Sequence, residues 1–502
     1  MKRAAFLLMI LSIASKILGF FREIALSTLY GTSYITDAYV VALTIPRLVL
    51  TFIVVAFTTG YIPIYSEIRE RQGKIEAEKF TSNLFNLLCI FAIIGTVLGE
   101  IFTAQIVRAI APGFNSETMK IAISFAHVII PIMLIMPVPA VFSGYLNSNE
   151  KFFATGVNGV IINIGLISAI ILGAKTNQPI LLMLITLLAY IFQYVVYFPA
   201  IKSCNFKYTL TCDYKDANIK RMLSTSLPLF LTVGVNELNV IIDKNLASRV
   251  ATGSVATLNY ASTPYNMAAE LIIISVITVV YPKMSEFASK QKNVDLLNLV
   301  EQTIILISAL IAPIMLFFMM FPEEVIALFY ERGAFTRVDT IAASQALLFY
   351  ALSLVTYGVR YVCVRAQNST KDMRTPFLVS LIMLVINLFG SIWLIKSMGI
   401  NGLALATSIS SFCGMVLMLY ALKRQFGSYS LKYFLVNGLK ILLGLVIMAL
   451  TSYIIFNYLS SKLHNHLALI ISGMVSVALY GIVLIVLRVE GFKEAKQIIS
   501  RR

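Results

Sequence analysis

Long uninterrupted apolar runs, each about the length that crosses a bilayer, recur from one end of the chain to the other. About 20 consecutive apolar residues span the hydrocarbon layer as a helix. Fourteen spans are expected, near residues 5–29, 35–64, 83–110, 121–147, 154–174, 179–201, 222–247, 255–282, 299–321, 340–364, 376–395, 402–422, 434–458 and 467–487. The runs are continuous and lack the period-two alternation of a membrane barrel. The predicted fold class is therefore an all-α polytopic membrane protein.

The pattern repeats. Pro63-Ile64-Tyr65-Ser66-Glu67 closes span 2, and Pro282-Lys283-Met284-Ser285-Glu286 closes span 8, about 220 residues later. Gly113-Phe114-Asn115-Ser116-Glu117-Thr118 after span 3 is echoed by Gly333-Ala334-Phe335-Thr336-Arg337-Val338-Asp339-Thr340 after span 9. Asn147-Ser148 with Thr155-Gly156 is echoed by Asn368-Ser369 with Thr375-Pro376. The expected unit is six helices used twice around a central cavity. Residues 1–215 form an N-terminal lobe, 216–425 a C-terminal lobe, and 426–502 two additional helices with a basic tail. Duplicated halves of this kind rock to give alternating access.

Composition agrees. The 502 residues are 59% hydrophobic and only 13% charged, against about a quarter charged in soluble domains. The net charge of +16 could suggest nucleic acid, but its distribution argues otherwise. Lys and Arg gather at the termini and after even-numbered spans, as in Arg69, Arg71, Lys74 and Lys79, or Lys202, Lys207, Lys215, Lys220 and Arg221. This positive-inside bias places both termini in the cytoplasm, with membrane lipids as partners. Met1-Lys2-Arg3 before an apolar run is signal-like, yet the run continues past Lys16, and a retained first helix is expected. The five cysteines and three histidines show no metal-ligand spacing. No triad, P-loop or dinucleotide fingerprint is present, so neither an enzyme nor a bound cofactor is expected.

The informative residues are polar ones inside spans. A cation in a bilayer costs a few kcal/mol on insertion scales, and such cations usually face water and an anion. Spans 1 and 2 carry Lys16, Arg22, Glu23, Asp37 and Arg47. They read as a cationic, substrate-binding wall, or alternatively as ion pairs such as Arg22 with Asp37 holding two helices together. Span 7 carries Asn236, Glu237, Asn239, Asp243 and Lys244; span 8 carries Asn259, Asn266 and Glu270. Arg360 lies in span 10, and Asn387 and Ser391 lie one turn apart in span 11. These oxygens could hold a monovalent cation, with Asp243 and Asn387 the best candidates, or serve as hydrogen-bond glue between helices. Asp243 with Lys244 could also be a surface pair.

Several motifs carry a resemblance. They are Ser15-Lys16-Ile17-Leu18-Gly19-Phe20-Phe21-Arg22-Glu23, Thr36-Asp37-Ala38-Tyr39 and Ile62-Pro63-Ile64-Tyr65-Ser66-Glu67. Leu328-Phe329-Tyr330-Glu331-Arg332-Gly333-Ala334-Phe335-Thr336 and Lys371-Asp372-Met373-Arg374-Thr375-Pro376 complete the set. With fourteen spans and a six-helix duplication, the chain resembles the MOP flippase superfamily and, within it, the MurJ (MviN) family. The resemblance implies a flippase for lipid II, the undecaprenyl-diphosphate-linked peptidoglycan precursor, in the bacterial cytoplasmic membrane. It implies that Lys16 and Arg22 bind the diphosphate and that Asp37 supports the cavity or its gate. It implies a sodium site, nearest here to Asp243, Asn387 and Thr407, with sodium or the membrane potential as the coupling force. Cell-wall synthesis enzymes are candidate partners, and a monomer is expected. Three departures stand out. Tyr260-Ala261-Ser262-Thr263 lacks the arginine that the family carries in span 8. Asn266 stands where an acidic residue is usual, with Glu270 a turn further. The family's arginine in span 2 aligns with Leu50 and Thr51, one turn after Arg47.

Rival classes remain open on the sequence: a flippase for another lipid-linked oligosaccharide, a cation-coupled drug exporter, or a scaffold for cell-wall enzymes. A cation-coupled drug exporter would favour acidic cavity residues over Lys16 and Arg22.

Overall fold

The computed structural model describes residues 2–56, 60–427 and 429–489; the basic tail after residue 489 lies outside them. The chain is 86% helical, with no strand among the described residues. Twelve helices are long and apolar enough to cross a membrane, thirteen when the bent pair Arg337–Ala351 and Leu354–Ser369 counts as one span. The helix Lys2–Tyr30 has 29 residues and is about 44 Å long. It covers the first expected span, and the expected count of fourteen agrees approximately with the twelve to thirteen helices that meet the length and apolarity of a crossing.

Breaks in these helices fall where the backbone chemistry requires them. Span 4 is three pieces, Ser116–Ile129, Ile132–Ile135 and Pro137–Ser148, interrupted at Pro131 and Pro137, which lack the amide that would continue the ladder. Span 8 runs from Ser254–Ala269 through a π-turn, Glu270–Ile274, into Ser275–Ser289. Such turns cluster at functional sites. Span 10 bends by 43° between Ala351 and Leu354.

The chain divides into two compact units. The first comprises residues 1–256 with the short segment Arg332–Phe335. In it span 1 lies along span 5, span 5 along span 6, and span 2 along span 4. Span 7, Ala217–Ala247, packs on span 2 and on Thr103–Ile110. Small residues permit the closest approaches, as membrane helices commonly do: a Cβ on Gly159 would come within 2.3 Å of Ser15 Oγ, and one on Gly165 within 2.4 Å of Ala189 Cβ. Asn163 adds polar glue, donating to the Ser15 carbonyl at 3.1 Å. At one end an aromatic cluster of Tyr61, Tyr65, Phe80, Phe142 and Tyr145 is tied down by hydrogen bonds. Tyr61 and Thr81 hydroxyls are 2.8 Å apart, and Tyr145 donates to buried Glu78 at 2.9 Å.

The second unit comprises residues 257–331 and 336–502. Spans 11 and 12 pair, as do spans 13 and 14. The latter two dock on span 9 through Ile305, Ala309, Ile441, Met448, Tyr480 and Leu484. The Tyr480 hydroxyl donates to the Ala309 carbonyl at 2.8 Å, which satisfies a polar group that hydrocarbon cannot.

Within the first unit, three turns meet around residues 28–33. Gly31, Gly253 and Gly333 all hold positive φ, at 56°, 88° and 61°. Ala334 donates its amide to the Thr28 carbonyl at 2.7 Å. A Cβ on Gly333 would stand 2.2 Å from that same carbonyl oxygen, and one on Gly253 2.2 Å from the Thr32 oxygen. Left-handed backbone alone costs an L-residue about 1–2 kcal/mol, and these collisions are with backbone that cannot swing away. Gly333→Ala is therefore expected to lower the thermal unfolding midpoint of the detergent-purified protein clearly. Gly427→Ala, at positive φ with open space around it, is expected to lower it less. Equal midpoints for the two variants would show that the junction does not bear on stability.

Candidate functional site

Past its N-terminal Lys2 and Arg3, span 1 is uncharged except for Lys16, Arg22 and Glu23, the first nearly two turns before the other two. Arg22 pairs with its neighbour Glu23, Nη2 to Oε1 at 2.5 Å. Adjacent residues on a helix do not face one another, so the long arginine side chain curls back along its own helix to reach the carboxylate. Tyr39 of span 2 and Tyr190 of span 6 are its other electrostatic neighbours. Three helices thus wrap the guanidinium, yet 30% of the Arg22 side chain stays open. Glu23 is 9% exposed. Lys16, nearly two turns earlier, is exposed. A guanidinium held by one carboxylate keeps in-plane donors for a second anion.

Asp37 does something different. Its carboxylate is fully buried, and both oxygens accept backbone amides, Gly253 at 2.5 Å and Ala256 at 2.8 Å. These amides lie at the start of the Ser254–Ala269 helix, where unsatisfied N–H groups and the helix dipole favour an anion. Asp37 therefore pins the beginning of span 2 to the beginning of span 8. Arg22 finds its carboxylate in Glu23, and the Asp37 carboxylate is occupied by backbone.

A second polar group forms between spans 2 and 7. Lys244 donates to the Thr44 hydroxyl by a very short bond and to the Val40 carbonyl at 3.4 Å. Arg47, exposed just after Pro46, and Glu237 are its charged neighbours. Glu237 accepts from the Thr51 hydroxyl at 3.3 Å through Oε1, while its buried Oε2 has no partner. Arg47, Lys244 and Glu237 are thus one cluster. Lys244 was legible in the sequence only as a neighbour of Asp243, because its binding partners are 200 residues away in the chain.

The residues expected to hold sodium are divided. Thr407 donates to Asn387 Oδ1 at 3.3 Å within the second unit, and the buried Ser391 hydroxyl one turn on has no partner. Asp243 belongs to the first unit. Among the described residues no group of three or more His, Cys, Asp or Glu could hold a metal ion. In span 8, Ser262 and Thr263 turn their hydroxyls back onto the Asn259 carbonyl at 3.1 and 2.8 Å. That stretch supplies no cation.

The contrast between Asp37 and Lys16 gives a test. Asp37→Ala leaves two buried amides without acceptors, at about 1–3 kcal/mol each, and should cut both membrane abundance and melting temperature. Asp37→Asn, which keeps one acceptor, should lose less, and exposed Lys16→Ala little. Normal melting of Asp37→Ala would remove the anchoring role.

Comparison with known proteins agrees with this architecture. A family model described as "Lipid II flippase MurJ" matches residues 26–477. A probable lipid II flippase MurJ of Rickettsia prowazekii is 26% identical over 96% of this chain and 95% of its own length. A counterpart in Thermotoga maritima is also 26% identical, over 87% and 88%. A solved lipid II flippase MurJ in an inward closed conformation superposes with a TM-score of 0.79 at 26% identity, covering 95% of this chain and 98% of that one. An inward-facing multidrug MATE transporter of the MOP superfamily, at 14% identity and a TM-score of 0.66, shares the fold over 82% of this chain and 96% of its own. The chain belongs to the MurJ family of lipid II flippases, which are transporters and not enzymes.

Proposed function

We propose that this protein carries lipid II from the inner to the outer leaflet of the bacterial cytoplasmic membrane, by alternating access and without covalent chemistry. The observation that carries this reading is Arg22, a guanidinium deep in span 1, wrapped by three helices and still open on one side. Arginine offers a planar fork that matches phosphate oxygens, and the diphosphate is the one charged feature every such lipid shares. Glu23 holds the guanidinium until the diphosphate arrives and then shares or yields it. Lys16 extends the positive surface along span 1, and Arg47 with Lys244 extends it between spans 2 and 7. Asp37 acts on transport through position, by fixing the starts of spans 2 and 8.

Sodium is the coupling ion in this reading. Asn387 and Thr407, with the unpartnered Ser391 hydroxyl, offer neutral oxygens that suit a weakly held monovalent cation. Asn387→Ala should then reduce the sodium dependence of transport.

One observation favours a second reading. The Ser262–Thr263 stretch contributes no cation, so the first-unit cations meet the substrate without the usual help from span 8. A related lipid-linked saccharide of lower headgroup charge would suit that arrangement.

The test is rescue of a bacterium depleted of its own lipid II flippase, at matched membrane levels. Wild type is expected to restore growth, and Arg22→Ala to fail. Removing a charge-assisted hydrogen bond costs about 1.5–3 kcal/mol, a loss of roughly ten- to a hundredfold in affinity. Rescue by both would remove the role of Arg22. Failure of well-inserted wild type would shift the substrate to the other saccharides.

A further inference from the structure

The inner half of span 10, Leu354–Ser369, has no part in the site above, and it is two-sided. Val359, Val362 and Ala366 are buried on one face. Tyr357, Arg360, Tyr361 and Arg365 fall on the other, at about 100° per residue. This polar face meets span 8. The rings of Tyr265 and Tyr357 are 6.4 Å apart, and those of Tyr357 and Tyr361 are 6.0 Å apart. Arg360 lies over Tyr357, its Cζ 5.3 Å from the ring centroid. Arg365 lies over Tyr361 at 4.8 Å and Tyr281 at 5.9 Å, and donates to the Tyr361 hydroxyl at 2.5 Å.

Neither guanidinium is in an ion pair, and the buried Nε of each has no hydrogen-bond partner. Arginine carries five N–H donors, so most of this capacity is unspent. Glu270 of span 8 neighbours the same tyrosine, Tyr357, but cations with no carboxylate at ion-pair distance remain costly at membrane depth, and cation–π contact repays only about 0.5–2 kcal/mol each. A cation–π contact engages the guanidinium's charge and leaves its in-plane donors available to phosphate; of these, Arg365 gives one to the Tyr361 hydroxyl. Lys371 and Arg374 follow at the helix end, on the side that the charge distribution marks as cytoplasmic.

We propose that Arg360 and Arg365, on the tyrosine array of spans 8 and 10, form a second phosphate-binding site in the second unit. It takes the diphosphate of the substrate or the phosphate of an anionic lipid headgroup from the inner leaflet. The substrate arm rests on the function proposed above; the headgroup arm does not. Span 10 thereby supplies the cations that Ser262 and Thr263 of span 8 do not.

The test uses the full chain in nanodiscs of phosphatidylcholine, with binding of lipid II and of phosphatidylglycerol read separately by native mass spectrometry. The double variant R360Q/R365Q is expected to weaken at least one of them about tenfold or more. Loss for lipid II names the substrate as the ligand, and loss for phosphatidylglycerol names the headgroup. Unchanged binding of both overturns the site. Wild type that binds phosphatidylglycerol but not lipid II would sink the proposed function while leaving this site readable. Should the double variant melt early, R360K and R365K carry the test. They keep the charge and lose the fork, and unchanged binding in both would equally overturn the proposal.

Discussion

A guanidinium inside hydrocarbon has to be given water, an anion or a fixed dipole, and most of this protein's polar architecture answers that demand. Arg22 is met by Glu23 and two tyrosines, Lys244 by a hydroxyl and a carbonyl of span 2. The apolar remainder follows the same rule in reverse. Backbone amides in hydrocarbon have to be satisfied by the protein itself, and the described residues meet that demand with helices and no strand. Proline accounts for the breaks in span 4, and a π-turn interrupts span 8.

The acidic side chains divide the labour. Glu23 balances charge beside Arg22, whereas Asp37 caps the beginning of another helix through Gly253 and Ala256. Both are buried carboxylates within fifteen residues of each other, and they have opposite consequences. One leaves a cation able to exchange partners; the other removes a degree of freedom from the scaffold. A transporter needs both, since a mobile charge is useful only against fixed walls.

The spans were legible because a 20-residue apolar run has one stable answer in a bilayer, and Lys16 and Arg22 were legible because a charge within such a run is conspicuous. What the sequence could not show were partnerships over long separations. Arg22 and Asp37 looked like a natural pair across two neighbouring helices, but the amides that occupy Asp37 lie more than 200 residues on. Lys244 beside Asp243 looked like a surface pair, until its bonds to Thr44 and Val40 were seen. Arg365 was hidden for another reason: at the end of a span it reads as a topology signal, and only the ring of Tyr281 from span 8 distinguishes it.

The π-turn at Glu270–Ile274 sets a reading frame. It absorbs one residue more than an α-turn, so everything after it is rotated by about 100° relative to a continuous α-helix. Tyr281 reaches Arg365 from that rotated half. Rewinding the turn as regular α-helix at the same length would carry Tyr281 to a different face, whereas deleting one residue from the turn would restore regular winding and leave Tyr281 on its present face. Position along span 8 therefore does not translate into direction by counting alone, and the turn is a place where a residue can be gained or lost as winding without being passed on as rotation.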